Sequence, residues 1–292
     1  MTANGTNGTL ARRKRTEVVF KVLMIASTAL VIGSLLLIIG AIVWKSLPAL
    51  KLSMITRTPQ GGFYLGKEGG ILNAIVGSLE LGLGATALAF LLSLPLALYL
   101  NVYKGRASKT AVWTRFFLDV LWGVPSIVYG AFGFLVMVFL GLRASLLAGT
   151  MTVALLEFPI MSRAIDEVMR LVPRDLRDAS DSLGATRFET AARVVVRQCL
   201  PGILTAVLMA FGRGVGDAAS VLFTAGFTDR VPASLLDPAA TLPLAIFYQL
   251  GSPLPEVQQR AYASAAVLTL IILVLSAAAR MITRRYRKHV VK

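Results

Sequence analysis

Arg213 stands inside an apolar stretch, between Gly212, Gly214 and Gly216, with Asp217 four positions further on. An arginine within hydrocarbon costs about 2.5–3.5 kcal/mol on insertion scales, so such a residue is read as functional by default. If the stretch is one helix, Arg213 and Asp217 share a face. Two readings are then open: a fixed cation on an anion path, or a structural ion pair. Gly212 and Gly216 also make a GxxxG pattern, which more often marks close helix packing than a ligand site. Glu80 and Glu157 are further carboxylates inside apolar runs, each costly there unless paired, protonated or turned to water. Other chemistry is excluded by composition. One cysteine, Cys199, and one histidine, His289, cannot make an intrachain disulfide, a metal centre or a Ser–His site. Gly61, Gly66 and Lys67 reproduce the GxxxxGK spacing of a phosphate loop, but Glu68 replaces the Ser or Thr and no strand–helix unit surrounds it. The expectation is a chain with no catalytic site, no metal and no bound cofactor, so that any nucleotide energy must arrive through a partner.

The elements that must hold these residues are membrane spans. The chain has 292 residues, is 56% hydrophobic and 15% charged, and has a mean hydropathy of +0.72, too apolar for an ordinary soluble domain. Six apolar segments, at 18–44, 71–102, 116–140, 145–165, 199–226 and 261–283, are near or above the roughly 20 residues of a spanning helix. Lipid offers no partner to an unpaired peptide group, and the segments lack the alternation of a barrel, so the fold class is all-α, a polytopic protein with six transmembrane helices. Arg12, Arg13, Lys14 and Arg15 precede the first run in the manner of a signal peptide, but the run is longer than a cleaved leader and reads as a retained helix. The NGT triplets at Asn4 and Asn7 read as a flexible polar start. Of the 30 Lys and Arg, 22 fall in the stretches that are cytoplasmic if the amino end is inside, 7 in external stretches, and Arg213 in the membrane. That bias places both termini in the cytoplasm. A net charge of +15 spread this way fits basic loops beside lipid better than a nucleic-acid surface.

Gly123, Pro125 and Gly130 interrupt the third run and Pro159 the fourth; breakers at this depth suit a bundle enclosing an internal path. The boundaries drawn are a tail at 1–17, one membrane domain at 18–283 and a basic tail at 284–292. Within the domain, a periplasmic loop at about 227–260 carries a short apolar run, 242–250, expected to be a surface helix. The longest polar interruption runs from Arg163 to Gln198 and mixes seven basic with six acidic residues, which suits protein docking. Arg163 and Glu167 form a charge pair near the inner face.

Within that stretch Asp178, Ala179, Ser180 and Gly184, followed by Phe188 and Pro201, resemble the EAA loop of ABC importer permeases. Further motifs are similar to the PstA family of phosphate permeases: GGILNAIVGS at 69–78, GVPSIV at 123–128, Pro159 with Arg163 and Glu167, LVPR at 171–174, GAT at 184–186, and Gly212-Arg213 through LFTAG at 222–226. The resemblance implies a type I ABC importer permease fold, with a coupling loop at about 166–197. It also implies a PstC-like second permease, two ATPase subunits carrying ATP and Mg, and a periplasmic phosphate-binding protein. The chain departs from the family pattern at Asp217, where Glu is usual, at Val196 and Arg197, where Leu-Pro is usual, and at Glu80 and Glu157, where apolar residues are usual. Permeation of another oxyanion such as sulfate, molybdate or phosphonate, and a non-transporting scaffold in phosphate signalling, are the alternatives these residues leave open.

Overall fold

The computed structural model describes residues 4–60, 68–104 and 108–286. Helix α1 (Asn4–Ser46) is followed by a short α2 (Leu52–Thr56) and a minimal antiparallel hairpin, β1 (Pro59–Gln60) with β2 (Glu68–Gly69). Helix α3 (Leu72–Leu98) runs into a π-helical turn at Tyr99–Tyr103. Next come α4 (Lys109–Gly123), α5 (Ser126–Phe139) and the long α6 (Leu146–Arg170), then the small α7 (Arg174–Ser182). A continuous rod follows, made of α8 (Arg187–Glu189), a second π-helical turn (Thr190–Val195) and α9 (Val196–Gly216). The chain ends with α10 (Leu242–Leu250) and α11 (Pro255–Tyr286). Among the described residues five helices are long and apolar enough to cross a membrane, and α4 with α5 makes a sixth crossing if that pair, bent by 98°, is one span.

Caps set where the helices begin. Ser108, Ser145 and Thr241 each accept a hydrogen bond from the backbone NH three residues on, starting α4, α6 and α10. The core is the packing of α3 and α9 against α6. Ala89, Ala97, Met161, Ile165, Met169, Cys199, Ile203, Ala206 and Ala210 form one buried cluster, and the alanines let the helices approach closely without relying on a hydrophobic driving force that lipid does not supply. A second cluster joins Leu81, Ala85, Val153, Val221, Ala225 and Leu244. By contrast α1 shows its apolar side chains outward almost all along its length. It packs chiefly on α11, where Lys45 donates to the Tyr262 hydroxyl at 3.2 Å and lies 4.8 Å above its ring.

Several boundaries differ from the sequence reading. The amino-terminal stretch taken as flexible is helical from Asn4. The third run begins earlier, at Lys109, because Ser108 caps it. The fifth ends at Gly216 rather than 226, and residues 217–226 fold into turns instead. Pro159 lies inside an unbroken α6, and Gly130 inside an unbroken α5. Gly130 serves close approach: a Cβ there would lie 2.7 Å from the Ala219 carbonyl oxygen and 2.9 Å from that of Ser220. Helix α10 is not a surface helix, since Leu242, Leu244 and Ala245 are fully buried. Gly61, Gly66, Lys67 and His289 lie outside the described residues.

Candidate functional site: an open cationic face and an inner charge cluster

The break between α4 and α5 is built locally. Val124 is extended, Pro125 cannot continue the helix, and the Tyr129 hydroxyl reaches back to the Leu121 carbonyl at 2.8 Å, accepting the bend into the hydrogen-bond pattern. Sequence reasoning found Gly123 and Pro125 but not Tyr129. Arg213 lies close enough to Tyr129 for its charge to act on the phenol. The arginine occupies the last turn of α9, where a cation is favoured by the helix dipole, rather than mid-helix.

The Arg213–Asp217 pairing is not formed. Helix α9 stops at Gly216, so Asp217 leaves the helical face in an extended conformation (φ −90°, ψ 119°) and its carboxylate instead accepts from the Ser220 backbone NH at 3.3 Å. Arg213 is exposed and, among the described residues, its side chain makes neither an ion pair nor a hydrogen bond. The GxxxG pair does not pack against the described residues either: a Cβ added at Gly212 or Gly216 would meet none of them within 4 Å. Only Gly214, between them, is tight, with the Glu157 carboxyl of α6 pressed against it. Glu157 is fully buried; the Thr86 hydroxyl is directed to it, and among the described residues neither carboxyl oxygen makes a hydrogen bond of good geometry. Glu80 is exposed on α3.

At the other end of α6 lies a cluster that sequence spacing did not reveal. Arg115 of α4 holds Asp166 with two bonds, Nε to Oδ2 at 2.8 Å and Nη2 to Oδ1 at 2.9 Å. Arg163 joins Asp166 at 3.1 Å, Glu167 at 3.3 Å and Asp119 of α4. The expected Arg163–Glu167 pair therefore exists, as the exposed edge of a larger network. Asn101, in the π-helical turn after α3, donates to Asp166 at 2.7 Å. Bidentate, charge-assisted bonds of this kind are the strong ones, and they offset the cost of burying the carboxylate fully.

Helix α7 hangs below this cluster. Gly184 sits in the left-handed region (φ 78°), which allows the chain to leave α7 and restart at Thr186, whose side chain forms a reciprocal cap with Glu189. Asp178 and Ala179 are exposed, as are Leu183 (88%) and Phe188 (71%), a small apolar surface on a charged segment. Ser180 is different. It is buried, 2.9 Å from the Thr190 hydroxyl, and ties α7 to the second π-helical turn rather than facing a partner. Arg177 donates to the Asn101 carbonyl at 2.7 Å and the Met169 carbonyl at 3.2 Å.

Solved structures with the same architecture define the class. The inward-facing MetNI methionine ABC transporter aligns with a TM-score of 0.60 at 18% identity, covering 74% of this chain and 95% of that one. An amino acid ABC transporter with histidines aligns with a TM-score of 0.56 at 20% identity, covering 74% of this chain and 93% of that one. The fold is thus that of a type I ABC importer permease. The chain belongs to the family described as binding-protein-dependent transport system inner membrane component, whose model matches residues 93–288. Its relatives include proteins named phosphate transport system permease protein PstA. That of Haemophilus influenzae is 34% identical, covering 86% of each chain, and that of Pasteurella multocida is 33% identical, covering 84% of this chain and 86% of its own. PstA 1 of Mycobacterium tuberculosis is 37% identical, covering 75% of this chain and 72% of its own.

Proposed function

We propose that this chain is one of two permease subunits of an ATP-driven importer that carries inorganic phosphate across the inner membrane. Its relatives are named phosphate permeases, and one observation supports it on chemical grounds: Arg213 stands unpaired among the described residues, on a glycine-flanked face that none of them covers. A cation left without a counter-ion at the edge of a bundle has its charge available to a ligand, and in a dry, low-dielectric path that charge is worth far more than in water. The small neighbours Gly212 and Gly216 let a hydrated or partly stripped oxyanion approach it. The broken pair α4–α5, beside the same face, carries exposed apolar residues including Ile127, Phe132 and Leu135, a surface suited to a second, PstC-like permease closing the path from the other side.

In this reading a periplasmic phosphate-binding protein delivers its ligand to the cavity between the two permeases. Two ATPase subunits, holding ATP and Mg, engage α7 through Asp178, Ala179, Leu183 and Phe188, and nucleotide binding and hydrolysis alternate access to the cavity. Both termini lie in the cytoplasm. Reconstitution with a second permease, the ATPase and the binding protein tests the assignment: ATP-dependent uptake of labelled phosphate, undiminished by excess sulfate or molybdate, is the expected result. Preferential uptake of sulfate or molybdate would overturn the substrate, and a reporter at Asp237 on the cytoplasmic side would overturn the orientation.

A further inference from the structure

A continuous line of hydrogen bonds runs from α7 to the helix that ends at the α4–α5 break. Arg177 of α7 donates to the carbonyl of Asn101. The Asn101 side chain donates to Asp166 of α6. Asp166 is held by Arg115 of α4, two turns before Gly123. Asn101, Asp166 and Arg115 are buried, so water is not at hand to replace the bonds among them, while Arg177 is half-buried. Each link also crosses between elements, so that α7, the π-helical turn after α3, α6 and α4 are joined in series. The π-helical turn gives the line a place to flex, because its irregular carbonyls can exchange partners at less cost than those of a regular helix. Arg177 takes two carbonyls from two different spans, Asn101 and Met169, and cannot move without disturbing both.

We propose that Arg177, Asn101, Asp166 and Arg115 are positioning residues that convey displacement of the docking helix to α4, and thereby set whether the α4–α5 pair opens or closes the path beside Arg213. The inference rests on the docking role given to α7 above. It requires more than packing: the cluster must be a two-state element that both ends bias.

The test uses the complete reconstituted complex and measures, in parallel, recovery of the ATPase with the permease, ATP hydrolysis, and phosphate taken up per ATP hydrolysed. Arg177→Lys and Arg115→Lys keep each charge but lose the second hydrogen bond, while Asn101→Leu removes the amide that donates to Asp166 and, within its own turn, to the Ala97 carbonyl. Each variant should retain the ATPase and hydrolyse ATP, with uptake per ATP lowered about tenfold. The double variant Arg177→Lys with Arg115→Lys should be little worse than either single one, because both changes act on one linkage. Unchanged uptake per ATP in the single variants, or losses that multiply in the double variant, would overturn the proposal. So would loss of assembly in all three single variants, since that makes the residues supports and not a linkage. Failure of the unmodified complex to retain any ATPase would instead refute the docking role of α7.

Discussion

Arg115 and Arg213 are both arginines of the helical bundle, yet one is fully engaged and the other is left alone. Arg115 is buried and grips Asp166 with two short bonds inside a network that also satisfies Arg163. Arg213 lies on an open face with glycines for neighbours and no counter-ion among the described residues. The difference shows how a membrane bundle separates structural charge from available charge. A carboxylate facing the first arginine fixes helices to each other, whereas withholding one from the second leaves its field for something that passes.

The sharpest way to break this contrast is to neutralise the available charge. Arg213→Gln should lower phosphate uptake about 100-fold or more, comparable to removing a preorganised charge from an oxyanion site, with ATPase recovery and membrane abundance unchanged. Adding Asp217→Asn should not restore transport, because the two side chains are not paired; recovery to near the unmodified rate would refute the path role. Neutralising the structural charge should act in the opposite sense. Asp166→Asn leaves Arg115 and Arg163 facing each other across a dry contact, and should cost about 3–5 kcal/mol of stability, read as a lower unfolding midpoint of the purified complex. An unchanged midpoint would mean that the cluster is not what joins α4 to α6.

A smaller effect is expected at the docking surface, where no membrane charge is involved. Ala179→Trp should weaken ATPase retention about tenfold, or about 1.4 kcal/mol, while abundance in the membrane is preserved, since Ala179 is exposed on α7. Normal pull-down would remove α7 from the interface. The least effect should come from Glu157, a third kind of charge site, buried but unpaired. Glu157→Met fills the same space without two unsatisfied oxygens and should leave uptake within about twofold, with thermal stability equal or higher. A clear loss of stability would show that the carboxyl has a partner in the assembled complex.

The parts legible in the sequence were those with short-range signals. Run lengths found the spans, Gly184 marked the end of α7, and Gly123 with Pro125 marked the break, because each is a local backbone constraint. The Arg115–Asp166 contact was hidden because its partners stand 51 positions apart and only packing brings them together. Asp217 was placed on a helix face by assuming that α9 continues. Three glycines in its last five residues, followed by a residue that caps turns, were the available sign that it stops. The short helix α10 was given to the surface on account of its proline-rich flanks, yet a run such as LPLAIFYQL has almost no polar face to present to water.

The packing of α1 on α11 bears on how the molecule comes into being. The contacts between Lys45 and Tyr262 join residues 217 positions apart, so they cannot form until nearly the whole chain has been synthesised. Until then α1 must persist in the bilayer as a solitary helix, and its apolar circumference is suited to that wait. The remaining spans can assemble around α6 in its absence, leaving α1 to be recruited last, as a clasp fastened onto a bundle that already exists.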